Sequence, residues 1–243
     1  MSALIDYTLH LADNTLILGQ RNAAWCGHGP VLEQDIAITN ISLDLLGQAR
    51  LFYQYAAHLM DNTDEDKLAY LRTEREYKNL LLAEQPKGDW AQTILRQYLF
   101  SQFQQILYQQ LQNHPDAQLA AIATKSLKET NYHVRWSSEW VIRLGDGTEE
   151  SRNRMMTAMD ELWRYTGEFF IAAPYEIELG IDLATLKTVW DNKVKAVMEE
   201  ATLPVPEKTF MHTGGKTGTH TEHLGYILAD LQYMQRAYPG CEW

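Results

Sequence analysis

Cysteine is nearly missing from this chain. Its 243 residues hold two, Cys26 and Cys241. Two thiols so far apart in sequence supply neither a disulfide framework nor a zinc site, and they suit a reducing compartment. Proline is sparse at seven, and several of the seven fall between helical segments, which favours long helices over many short strands. No apolar run reaches the length of about 18 residues that crosses a bilayer. The opening Met1-Ser2-Ala3-Leu4-Ile5-Asp6 has no basic region ahead of an apolar stretch, so no signal peptide is expected and a cytoplasmic location is. Basic charge is in the minority: 21 Lys and Arg against 32 Asp and Glu leave a net charge of −11. Nucleic acid and anionic membrane surfaces are held by clustered Lys and Arg, so neither is expected as a partner.

What is present is helical pattern. The spacing predicts long helices over residues 5–26, 31–60, 89–113, 116–144, 149–172, 183–202 and 219–237. Shorter pieces fall within 65–84, and a loop spans 203–218. The Cys26-Gly27-His28-Gly29-Pro30 breaker, the Asp61-Asn62-Thr63-Asp64 cluster and Gly145-Asp146-Gly147 mark turns. No alternating strand pattern, internal repeat or biased linker appears. The reading is all-α: one antiparallel helical bundle over 1–243 with additional shorter helices.

The inward stripes are informative. At heptad spacing the second helix reads Ile38, Ile41, Leu45, Gln48, Phe52, Tyr55, Leu59, an apolar seam with one polar member. The helix over 116–144 reads Leu119, Ile122, Ser126, Glu129, His133, Trp136, Trp140, polar at its middle, with Glu129 and His133 one turn apart. Ferritin-like di-iron proteins set a Glu-x-x-His pair on each of two helices and one Glu on each of two others. That pattern is absent. None of the eight histidines has Asp or Glu three residues before it. The helix after Asp89 carries no carboxylate until Asp116. Leu45 cannot ligate, and Gln48 is a neutral, poor iron ligand. Glu129 with His133 then reads as a self-satisfied buried pair. The alternative is a stand-alone metalloenzyme with an atypical site around Glu129, His133 and Asp13.

Four blocks, in order and spacing, resemble one family: Trp25-Cys26-Gly27-His28; Ile41-Ser42-Leu43-Asp44-Leu45-Leu46-Gly47-Gln48-Ala49-Arg50; the stretch from Arg75 through Glu84 to Pro86; and the stretch from Thr213 through Gly215, Lys216 and His220 to Gly225. The family is the structural subunit of bacterial ring-1,2-phenylacetyl-CoA epoxidase. The resemblance implies a ferritin-like bundle with no metal or cofactor of its own. In it Leu45 and Gln48 stand where a catalytic relative carries Glu-x-x-His. It implies hetero-oligomeric pairing with a di-iron catalytic subunit. It further implies a smaller accessory subunit and a reductase that brings electrons from NADPH through flavin and iron–sulfur groups. A generic helical interaction module is the third reading.

Gly215-Lys216-Thr217 suggests a P-loop, but the glycine required five residues earlier is Phe210. The loop reads instead as a lead into a helix capped by Thr219 and Glu222. Gly214, Gly215 and Lys216 are candidates for contact with a partner subunit or with CoA phosphates. His220, Glu222 and His223 read as solvated residues at a helix start, or as a surface metal site.

Overall fold

The computed structural model describes residues 2–207 and 209–241. Among them no strand occurs, and the helices in order are α1 (Ala3–Ala23), α2 (Leu32–Leu59), α3 (Glu65–Tyr70), α4 (Leu81–Glu84), α5 (Trp90–Leu111), α6 (Ala117–Gly145), α7 (Glu149–Leu162), α8 (Pro174–Glu178), α9 (Leu183–Glu200) and α10 (Glu222–Ala237). The fold is an all-α, ferritin-like helical bundle. Its four long helices, α1, α2, α5 and α6, have 21, 28, 22 and 29 residues. Contacts gather into two compact units. One holds the residues up to Pro86 with Ala173–Gly180 and the chain from Thr213; the other holds Lys87–Ala172 and Ile181–His212.

In the first unit α1 and α2 form an antiparallel hairpin packed along its length. Ser2 caps α1 by accepting from the Ile5 amide. The α2 seam is buried as its spacing demands: Ile38, Ile41, Leu45 and Phe52 are fully enclosed, and Gln48 is enclosed with them. Gly19 keeps the pair close, since a Cβ there would stand 3.3 Å from the Leu45 and Leu46 side chains. The second unit is built on the α5–α6 hairpin with α7 and α9 against α5. Asp89 and Gln92 form a capping box at the start of α5. Trp190 of α9 is buried, donates its indole N–H to the Leu99 carbonyl at 3.2 Å, and packs against Trp163, Phe169 and Phe170.

Among the helix boundaries that differ from the sequence reading, two have a visible cause. The helix expected over 149–172 ends at Leu162 and gives way to 3₁₀ turns at Trp163–Tyr165 and Gly167–Phe170. Thr166 bonds back to the Trp163 carbonyl, and Gly167 lies under Met211, where a Cβ would sit 2.6 Å from the Met211 side chain. Clustering of the local aromatics around Trp190 overrides the helical periodicity. The last helix starts at Glu222 with Thr221 as its N-cap, so the Thr219–Glu222 capping box does not form.

Two glycines report opposite constraints. A Cβ on Gly215 would lie 2.2 Å from the Asn79 carbonyl, whereas one on Gly47, exposed inside α2, would meet nothing within 4 Å. Thermal unfolding of the isolated chain should therefore show Gly215→Ala destabilised by about 1–3 kcal/mol. Gly47→Ala should be stabilised by about 0.5–1 kcal/mol. Equal effects of one sign would refute this local packing.

Candidate functional site

The most polar part of the first unit lies on α1. His10, Asp13 and Asn14 are all buried and face the extended segment 77–80. A segment without helix or sheet partners must place its backbone groups elsewhere. The Lys78 amide donates to Asp13 at 2.8 Å, the Leu80 amide donates to Asn14 at 2.7 Å, and the Lys78 carbonyl accepts from His10 Nδ1 at 2.7 Å. His10 Nε2 is 3.2 Å from the Asn14 amide nitrogen and accepts from it, which fixes a neutral ring protonated at Nδ1. Burial, then the charge of Lys216, pull the His10 pKa down to about 3, in keeping with that tautomer.

Asp13 is also the acceptor for Arg72. The guanidinium makes a paired contact with the carboxylate, donates to the Leu68 and Glu76 carbonyls at 2.6 and 3.0 Å, and lies over the Tyr77 ring at 4.3 Å. The Tyr53 hydroxyl donates to Asp13 at 2.6 Å. Burial, the largest single influence, would depress the Arg72 pKa, but the charge and hydrogen bond of Asp13, joined by Tyr53 and Tyr77, together raise it. The Asp13 carboxylate is engaged at both oxygens by groups of the same chain.

Glu84, at the end of α4, is fully buried. Its carboxylate accepts from Asn79 Nδ2 at 2.8 Å, from the Thr221 amide and hydroxyl at 2.6 and 2.8 Å, and from His220 Nδ1 at 2.8 Å. His220 Nε2 is 2.9 Å from the Tyr77 carbonyl, which can only accept. Both ring nitrogens therefore donate, and His220 is an imidazolium. Burial opposes that charge, yet the hydrogen bond and charge of Glu84 raise the His220 pKa. Glu84 thus supplies the cap expected of Thr219. Nearby, the buried Lys216 ammonium contacts both carboxylate oxygens of Glu176 at 2.9 and 3.0 Å, and its carbonyl accepts from Tyr175.

In the second unit α5 buries Thr93, Arg96, Gln97, Ser101, Gln102 and Gln104. Its polar contacts include neutral ones, Gln97 to Ser101 at 2.7 Å and Gln104 to the Tyr108 hydroxyl at 2.9 Å. On α6 Ser126, Thr130 and His133 are enclosed, and Glu129 is half-buried. Burial, and secondarily the Glu129 charge, raise the Tyr108 pKa.

A ferritin-like fold raises the question of a di-iron centre, and the residues of this chain do not fit one. Leu45 and Gln48 fill the seam of α2, and α5 has no carboxylate. Asp13 is bound to Arg72 and Tyr53. Among the described residues no three His, Cys, Asp or Glu side chains come together as a metal requires. Of the positions singled out in the sequence, Leu45 and Gln48 lie in the first unit, and Glu129 and His133 in the second.

The family model described as phenylacetic acid catabolic protein matches residues 1–243. The chain belongs to that family. A relative from Escherichia coli (strain K12), a named component of 1,2-phenylacetyl-CoA epoxidase, is 50% identical over 248 residues, a match that covers the full length of both chains. Two of the blocks that carry the family resemblance, 75–86 and 213–225, meet in the structure. Gly215 packs on the Asn79 carbonyl, a Cβ on Gly218 would lie 2.3 Å from the Arg75 carbonyl, and Glu84 holds His220 and Thr221. In this chain the two blocks dock one segment on the other. Gly215 and Lys216 are buried and Gly214 half-buried, and the Lys216 ammonium points at Glu176 rather than outward to a phosphate. His220, grouped by sequence with Glu222 and His223, turns inward. Among the described residues no helix is long and apolar enough to cross a membrane.

Arg72, Glu84 and Glu176 escaped the sequence reading. Glu84 was visible only as part of a resembling block, and nothing in the spacing pairs Glu176 with a lysine 40 residues away.

His220 gives a pH dependence of definite sign. Its folded pKa lies above the unfolded value of 6.5, so its contribution is complete below about pH 6.5 and is lost as pH rises through the folded value. Chemical denaturation from pH 6 to 9 should show stability falling across that window, with the slope reduced in His220→Gln. A slope that is unchanged in the variant would assign the titration elsewhere. A second expectation concerns α2. Leu45→Glu with Gln48→His rebuilds one ligand pair, but α5 still offers no carboxylate. The double variant should lose roughly several kcal/mol or bury a protonated acid, without taking up iron. Metal analysis and thermal unfolding check this; a stable, iron-loaded variant would contradict it.

Proposed function

We propose that this chain is the non-catalytic, structural subunit of a multicomponent oxygenase that epoxidises the ring of phenylacetyl-CoA in phenylacetate catabolism. The observation that carries the reading is the full-length, 50% identical relative named as a component of 1,2-phenylacetyl-CoA epoxidase. It is joined to a ferritin-like chain whose buried carboxylates Asp13, Glu84 and Glu176 are engaged by groups of the same chain. Di-iron chemistry then belongs to a ferritin-like catalytic partner. Electrons come from NADPH through the flavin and iron–sulfur groups of a reductase, with a smaller accessory subunit in the same cytoplasmic complex.

What this chain's residues do in such a complex is hold shape. A first unit whose interior is tied by Asp13–Arg72, Glu84–His220 and Glu176–Lys216 is preordered for binding, and preordered surfaces bind with less loss of conformational entropy. The partner is expected to depend on that surface for its own solubility. Expressed alone, the di-iron relative should be aggregated or inactive; co-expression with this chain should recover a soluble, active complex on size exclusion. Full turnover by the relative alone would refute the structural role. Stoichiometric iron in this chain, with the Mössbauer signature of a di-iron centre, would refute the non-catalytic assignment.

A further inference from the structure

One cavity lies wholly within the second unit, where the chain leaves α9 and doubles back along it. The reversal is made at a strained residue. Thr202 has a φ of 58°, in the left-handed region that a β-branched side chain rarely enters. Two hydrogen bonds hold it there: the Leu203 amide donates to the Met198 carbonyl at 2.9 Å, and the Arg152 guanidinium donates to the Thr202 hydroxyl. Gly145 lets the turn sit close, since a Cβ on it would lie 2.4 Å from the Ala201 carbonyl. Backbone strain that its surroundings over-determine clusters at ligand sites.

The wall that this turn raises is Pro204-Val205-Pro206. Prolines carry no N–H, so the segment runs beside α9 with few donors to satisfy. Trp163 and Trp190 form the floor, with ring centres 5.7 Å apart and planes inclined by 37°. Between floor and wall is a half-open cavity of about 420 Å³, at the lower end of the range for small-ligand sites. An aromatic floor facing an aliphatic wall suits a single flat ring.

Charge selects among ligands of that shape. Asp191, Lys195 and Glu199 follow one another at four-residue steps of α9 along the rim, and Glu207 completes it. Lys187 pairs with Asp191 at 2.5 Å, and Lys195 pairs with Glu199 at 3.7 Å. Among the described residues no cation pairs with Glu207, so the rim sets three carboxylates against the one ammonium of Lys195. A cation is drawn to a free carboxylate and to tryptophan alike, whereas an anion is repelled by the rim.

We propose that this cavity binds a small aromatic cation, one ring bearing an ammonium group, seated between the Trp163–Trp190 floor and the Pro204–Pro206 wall with its charge toward Glu207. Every residue involved belongs to the second unit of this chain, so no partner subunit is needed to complete the site.

The test is ligand-observed NMR titration of the full-length chain at low salt. Benzylammonium, benzyl alcohol and benzoate are probes of one size that differ in charge, and butylammonium is a cation without a ring. Benzylammonium should bind about tenfold more tightly than benzyl alcohol, and benzoate more weakly than either. Butylammonium, which mimics a lysine side chain of a docking protein, should bind about tenfold more weakly than benzylammonium. Glu207→Gln changes an exposed position; it should keep the melting temperature and narrow the preference for benzylammonium over benzyl alcohol about threefold. Val205→Trp fills the cavity from its half-buried wall and should abolish binding of every probe. Benzoate that binds as tightly as benzylammonium overturns the assignment, as does a preference unchanged in Glu207→Gln. Butylammonium that binds as tightly as benzylammonium gives the cavity to a protein side chain and overturns it too. Undiminished binding by Val205→Trp places the site elsewhere, and saturation by none of the probes refutes the site outright.

Discussion

A buried carboxylate on α1 organises the first unit. Asp13 is fully enclosed, and an isolated charge there would cost more than any single apolar contact returns. It is tolerated because four groups converge on it: the Arg72 guanidinium, the Tyr53 hydroxyl, the Lys78 amide and, beyond them, the Tyr77 ring stacked on Arg72. Three of them, Arg72, Tyr77 and Lys78, lie in a segment with little regular structure. Residues 71–80 cross the unit almost without helical bonds of their own, and their course is set by where α1 can satisfy them. Removing one member of such a buried pair costs about 3–5 kcal/mol, mainly by stranding the other. The path of the chain between α3 and α4 is thus determined by α1 polarity, not by local propensity.

The same logic assigns opposite charge states to two buried histidines of the unit. His10 faces one acceptor and one donor, so a neutral ring satisfies both, and the Lys216 and Lys78 charges reinforce neutrality. His220 faces a carboxylate and a carbonyl, two acceptors, so only the protonated ring satisfies both. Burial disfavours charge at each position; the hydrogen-bond partners decide which ring carries it. Glu84 is the consequence. By holding an imidazolium and the Thr221 amide at the start of α10 together, it ties the segment 77–84 to the 213–221 loop.

The long helices and the buried seams of α2 and α6 were legible in the sequence, because a 3.6-residue period over 20 or more residues is a strong signal. So was the inward position of Leu45 and Gln48, both buried in α2. Illegible were the features that depend on contacts between distant segments. Lys216 reads in sequence as an outward cation in a glycine-rich loop; only the fold shows Glu176 beneath it. Thr219 and Glu222 have capping-box spacing, yet the cap comes from Glu84, more than 130 residues earlier. The break after Leu162 was hidden because Trp163, Phe169 and Phe170 fit a helical pattern equally well, and their packing on Trp190 decides the matter.

The features hidden from the sequence in the first unit share a cause that bears on function. In a ferritin-like protein with metal, inward carboxylates are neutralised by cations from solution. In the first unit of this chain the buried carboxylates Asp13, Glu84 and Glu176 are met by Arg72, His220 and Lys216 of the same chain. Each pair joins segments far apart in sequence, so the charge balance that a metal would supply at one centre is distributed over several contacts that tie the chain to itself. A metal can leave, and with it the balance; a covalently attached cation cannot. The arrangement balances these buried charges of the first unit within the chain itself.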